Sequence, residues 1–116
     1  MSALEGSCHC GAITVTIPHA PPDANQCNCS ICRRLATLWG YYRPSEVRVT
    51  GEPAGYRRSD LGEPPGLTLW HCPRCGCTTH WTPTDPEYDR MGVNLRNFAP
   101  ELLAALPLRH TDGASW

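Results

Sequence analysis

Lysine is missing from this chain of 116 residues, and its basic side chains other than histidine are all arginine. Ten arginines against eleven acidic residues leave a formal net charge of -1. So balanced a chain carries no global attraction for nucleic acid or an anionic membrane surface, and neither is expected as a partner. The all-arginine content is read as compositional bias rather than selection for forked anion recognition. Phenylalanine occurs once, and aliphatic residues come in short runs broken by 12 Pro and 10 Gly. No run approaches the roughly 18 apolar residues that span a bilayer. The opening "MSALEGSCHCG" has neither a basic n-region nor an apolar h-region, so a cytoplasmic protein is expected. The length suits a single domain, residues 1–116, whose thin apolar supply calls for staples besides its core.

Cysteine is what the chain has in excess: eight residues in three groups, "CHCG", "CNCSIC" and "CPRCGC". In a chain with no export signal, that much cysteine points to metal ligation rather than disulfides. In "CPRCG", Cys72 and Cys75 stand three positions apart, suited to gripping one tetrahedral ion, while Gly76 permits the tight turn that aims amides at sulfur. "CHCG" is a shortened version with Cys8, Cys10 and Gly11. Together Cys8, Cys10, Cys72 and Cys75 make a closed four-cysteine zinc site that ties the first strand to one more than sixty residues later. Structural zinc is worth on the order of 10–16 kcal/mol of apparent binding energy, comparable to or above a domain's whole stability.

Cys27, Cys29 and Cys32 then remain as a trio. Three protein ligands with a fourth position left to water or substrate is the arrangement of catalytic zinc. A thiol entering such a position is deprotonated at neutral pH. Two alternatives stay open from the residues alone: Cys77 or His80 closes this second site as well, or the thiolates hold an iron–sulfur cluster. A thioredoxin-like redox pair lacks the βαβ pattern it needs.

The rest of the chain reads as short strands. "AITVTIP" alternates Ile13, Val15 and Ile17 with small polar residues, and Pro18 ends it. "HAPPDANQ" is expected to be loop. Ser30 is placed to cap a short helix through "SICRRLAT", with Cys32 in its first turn. "LWGYYRP", "EVRVTG", "GYRRS", "LTLWHC", "CTTHWTP" and "RMGVNLR" are expected strands, the fourth and fifth forming a hairpin about "CPRCG". "APELLAALPL" is expected to make one or two helical turns. The predicted class is all-β with small α content.

The order C-x-C-G, C-x-C-x-x-C followed by "CRR", then C-x-x-C-G resembles the glutathione-dependent formaldehyde-activating enzyme family, which includes centromere protein V. "EVRVTGEPAGYRRS" is similar to that family's strand–Gly–Tyr segment, and the resemblance covers roughly residues 4–98. It implies a zinc-bound β-tent of stacked antiparallel sheets and two zinc ions per chain. Cys8, Cys10, Cys72 and Cys75 match the structural ligands, and Cys27, Cys29 and Cys32 the catalytic ones. The implied activity is of the carbon–sulfur lyase type: a glutathione-like thiol adds to a small aldehyde such as formaldehyde.

Around the trio, Arg33 and Arg34 are the sequence-local cations expected to offset the thiolate charge or grip a substrate carboxylate. His9 and His71 flank ligand cysteines and are expected to point away. His80 is the better candidate for a site role, against a structural one. His19 and His110 fall in expected loops. Trp39, Tyr41 and Tyr42 are read as core rather than pocket walls. No Ser-His-Asp order or phosphate-binding glycine loop is present. A different reading of the same cysteines is a zinc-stabilised protein-binding module in which both metals are structural.

Overall fold

In the computed structural model of the protein, which describes residues 3–58, 60–62 and 65–115, the period-two segment behaves as its spacing dictates. Val15 and Ile17 are sealed, while Thr14 and Thr16 stay half-buried. Their strand, β2 (Thr14–Ile17), is the middle of a three-stranded antiparallel sheet, between β1 (Leu4–Ser7) and β5 (Arg48–Thr50).

The second sheet has seven strands. From one edge to the other they are β10 (Leu108–Thr111), β3 (Ala24–Cys27), β4 (Trp39–Tyr42), β9 (Met91–Asn94), β8 (Thr78–Pro83), β7 (Leu67–His71) and β6 (Ala54–Arg57). Val15 and Ile17 of the small sheet meet Ala24, Tyr42, Met91 and Val93 of the large one, with Leu95 and Phe98 closing the layer. That face-to-face burial is the main apolar core. Two short helices, α1 (Cys32–Leu35) and α2 (Pro100–Ala104), complete the regular structure among the described residues apart from single 3-10 turns. The class is all-β, as expected. The hairpin about "CPRCG" also forms, β7 pairing with β8.

Three local expectations are corrected. Residues 24–26 of "HAPPDANQ" are strand rather than loop, because β3 finds partners on both edges, antiparallel to β4 and parallel to β10. Asn25, a turn-former by propensity, is buried there with its side chain hydrogen-bonded. β10 itself was not expected, and it places His110 on a strand rather than in a loop. Its pairing with β3 makes one contact of the large sheet parallel, so the sheets are not wholly antiparallel. Finally, Ser30 does not cap α1. The position before the helix is Ile31, without a side-chain cap, and the Ser30 hydroxyl instead donates to Asp60 Oδ2 at 2.7 Å.

Candidate metal centres and the cavity between the strands

Cys8 and Cys10 follow β1, while Cys72 and Cys75 lie in the turn between β7 and β8. Gly11 and Gly76 sit at φ 83° and 81°, the left-handed conformation that lets each loop fold back on itself. Gly11 N–H reaches Cys8 O at 3.1 Å and Gly76 N–H reaches Cys72 O at 2.8 Å. The four sulfurs lie within 4.8 Å of one another, with Cys8 to Cys10 at 3.8 Å and Cys10 to Cys72 at 3.6 Å. A tetrahedral ion bound to sulfur at about 2.3 Å sets its ligands about 3.8 Å apart, so the quartet has the spacing of a thiolate cage. Amides also aim at the sulfurs: Ile13 N–H at Cys8 and Arg74 N–H at Cys72. The backbone amides of Cys77 and Cys10 lower the Cys75 thiol to about 5.

The trio is assembled by one continuous bend. Cys27 ends β3, Cys29 lies in the turn, and Cys32 opens α1. All three are buried, and their sulfurs also fall within 4.8 Å of each other. Donors converge on them. Cys29 Sγ receives the Cys32 amide at 3.4 Å and Arg58 Nη1 at 3.2 Å, and Cys32 Sγ receives Trp39 Nε1 at 3.3 Å. Burial would raise the Cys29 thiol, but the Cys32 amide, the Cys32 thiol and Arg58 bring it down to about 7. Burial pushes Cys32 up to about 12, with the neighbouring Cys29 charge adding to the effect. Three buried sulfurs cannot all ionise against one another without a cation among them. The donor set therefore fits a soft metal ion.

Gly113, from the turn after β10, seals the trio from one side. A Cβ there would lie 2.7 Å from Cys27 Sγ and 2.7 Å from Cys29 Cβ, so only glycine lets the chain pass.

Neither spare ligand joins the trio. Cys77 packs beside the quartet, next to Ile13, Cys8 and Cys72. His80 is buried against Trp70, ring centroids 6.1 Å apart, and its Nδ1 pairs with Thr79 Oγ1 at 2.8 Å. Among the described residues, the groups that bring three or more potential ligand atoms together are the quartet and the trio alone.

A cavity of about 600 Å³ opens beside the trio. Cys27 and Cys32 form part of its wall, with Trp39, Tyr41, Trp81 and Leu69 supplying apolar surface. Trp39 and Tyr41 are thus pocket walls as well as packed residues, which corrects their assignment to the core alone; Tyr42 does belong to the core. Three arginines reach the cavity: Arg58 at the trio, and Arg90 and Arg109 with their guanidinium carbons 4.1 and 5.8 Å from the centre of the Tyr41 ring.

The guanidinium bonded to the trio belongs to Arg58, which the sequence offers only as half of an arginine pair, 57–58, of positive surface and not as a neighbour of the trio. It is 6 % exposed and held by Asp60, at 2.7 Å from Nε to Oδ1, and by Ser30 Oγ. Arg34 turns back to Ser30 O at 2.6 Å, and Arg33 borders a second cavity that Cys27 and Cys32 also line. Arg58 lies 29 positions from Cys29, just past β6 at the far edge of the sheet, and nothing in the local sequence announces that meeting.

The fold and the site define a two-sheet β protein with two cysteine groups that could hold metal, a quartet joining distant loops and a trio beside a cavity. The family model for the glutathione-dependent formaldehyde-activating enzyme matches residues 3–105, and the chain belongs to that family. A Halomonas elongata protein, provisionally named a glutathione-dependent formaldehyde-activating enzyme, is 58% identical over 40 residues. That match spans 33% of this chain and 25% of the relative's length. The crystal structure of a Rhodobacter sphaeroides protein superposes with a TM-score of 0.70 at 28% identity, covering 90% of this chain and 99% of that one.

Proposed function

We propose that the protein is a zinc-dependent enzyme of carbon–sulfur bond chemistry that joins glutathione, or a similar thiol, to formaldehyde or another small aldehyde. Cys8, Cys10, Cys72 and Cys75 hold a structural zinc, and Cys27, Cys29 and Cys32 hold a second, catalytic one. The observation that carries this reading is the trio itself: three convergent buried sulfurs, no fourth side-chain ligand among the described residues, and a cavity on which two of the three open. When bound, the second zinc supplies a lowered pKa to a thiol that joins it, so the cosubstrate reacts as thiolate at neutral pH.

The chain's own residues do the rest. Arg58 hydrogen-bonds Cys29 and brings a buried positive charge to a site whose four sulfurs and divalent ion would otherwise sum to -2. Arg90 and Arg109 stand at the cavity wall, suited to the carboxylates of an acidic thiol. Trp39 and Trp81 exclude water from the reacting sulfur. A cavity of this size lies within the usual range for small ligands and has room for a tripeptide.

The test is exchange NMR between glutathione and its hydroxymethyl adduct in the presence of formaldehyde. Zinc-loaded protein is expected to speed the exchange over the uncatalysed rate, and Cys29→Ser, still folded, to lose both one zinc and the acceleration. Wild type that carries two zincs without accelerating the exchange would leave a binding module with structural metals.

A further inference from the structure

Among the described residues, Asp85, Tyr88 and Tyr41 bring acidic or phenolic oxygens to the cavity beside the trio; Asp85 and Tyr88 are exposed, whereas Tyr41 is half-buried and packs against the cluster that contains the trio. Tyr41 lines the same cavity as Cys27 and Cys32. Its hydroxyl oxygen accepts a hydrogen bond from Asn25 Nδ2, and Asn25 Oδ1 in turn accepts from Thr111 Oγ1 at 2.8 Å. Thr111 is paired in register with Cys27, so this chain of polar groups ends beside the trio. Asn25 is 2 % exposed, and its amide lies with Nδ2 toward Tyr41 and Oδ1 toward Thr111. Because Asn25 donates to the phenol oxygen, the phenol's own proton is left to point elsewhere, and the open side is the cavity. Burial raises the Tyr41 pKa, so the hydroxyl is protonated at neutral pH. Arg90 and Arg109 over the ring supply positive charge that stabilises electron density passing to it.

We infer that Tyr41 is a catalytic residue: its hydroxyl donates a hydrogen bond, and then its proton, to the carbonyl oxygen of the aldehyde as the thiolate sulfur adds to the carbonyl carbon. The step balances. The sulfur–carbon bond forms, the carbonyl π pair moves to oxygen, and oxygen takes the Tyr41 proton. The phenolate, held by Asn25 and the two guanidiniums, regains a proton from the solvent that earlier received the thiol's proton. No oxidant or further reactant is needed, and the reverse reaction returns the proton along the same route. This assignment rests on the thiol-addition reading of the trio given above.

The test uses zinc-loaded wild type and Tyr41→Phe, which removes the hydroxyl and keeps the ring. In exchange NMR, Tyr41→Phe is expected to lose about 100-fold in catalysed rate, as for loss of a general acid. Its calorimetric affinity for glutathione should be unchanged. A second readout needs no turnover: affinity for S-(2-hydroxyethyl)glutathione against S-propylglutathione. Wild type should prefer the hydroxyl-bearing thioether by about 2- to 10-fold, and Tyr41→Phe should lose that preference. If wild type is catalytic and Tyr41→Phe matches it in rate and retains the preference, the Tyr41 role is overturned while the function stands. If wild type itself fails to accelerate exchange, the function falls and this assignment falls with it.

Discussion

Single atoms decide how the trio works. Arg58 is the residue whose loss should separate metal binding from thiol binding. Replacing it with methionine keeps much of its volume but removes a charge-assisted hydrogen bond, worth about 1.5–3 kcal/mol. Glutathione affinity measured by calorimetry is expected to fall about 10- to 100-fold, while zinc content stays near that of wild type. Equal affinity in the two proteins would show that the guanidinium does not serve the incoming thiolate. Gly113 tests the same centre sterically. Since its Cβ would collide with Cys27 and Cys29, Gly113→Ala is expected to lower metal content from two ions to one with the thermal transition still cooperative. A variant that retains both ions would mean the turn yields without cost.

At the scale of elements, β8 carries a buried imidazole. His80 is 4 % exposed, and burial lowers its pKa to about 4. In the unfolded chain it protonates below about 6.5. Between those two values the unfolded state binds more protons, so this residue's contribution to stability is complete above about 6.5 and is lost as pH falls toward 4. The expected loss is about 3 kcal/mol, read as the difference between wild type and His80→Gln across that window, since metal release affects both alike. An imidazole NMR titration with its midpoint near 6.5 in the folded protein would contradict it. The strands themselves were legible wherever alternation or a hairpin turn marked them, as with β2 and the β7–β8 pair. β1, β3 and β10 were not. "ANQC" and "LRHT" carry little apolar signal, and their parallel pairing is made across 84 positions of chain, where no local turn announces it. Their strand character comes from the sheet edge each one finds.

For the whole molecule, the quartet is the proposed staple. It joins the loop after β1 to the β7–β8 turn and so ties the small sheet to the large one. Apparent binding energies of about 10–16 kcal/mol for such a site compare with total stabilities of about 5–15 kcal/mol. Cys72→Ser is therefore expected to lose cooperative unfolding in circular dichroism, whereas Cys29→Ser keeps it. A Cys72→Ser protein with an unaltered melting curve would refute the staple. Both sulfur groups were legible in the sequence, because spacing within a group is local and thiolates are few. The partners that tune them were not. Arg58 and Gly113 reach the trio from the segments just after β6 and β10, Tyr41 lines the adjoining cavity from β4, and only the folded sheet brings those strands together.

Everything functional follows from the trio holding an ion that an outside thiol can reach. Cadmium NMR of the cadmium-loaded protein examines that directly. Two resonances are expected, one from each sulfur group. Added glutathione should shift only one of them, and that one should be missing in Cys29→Ser. Two resonances that both ignore glutathione at millimolar concentration, or a single resonance from the quartet alone, would contradict it.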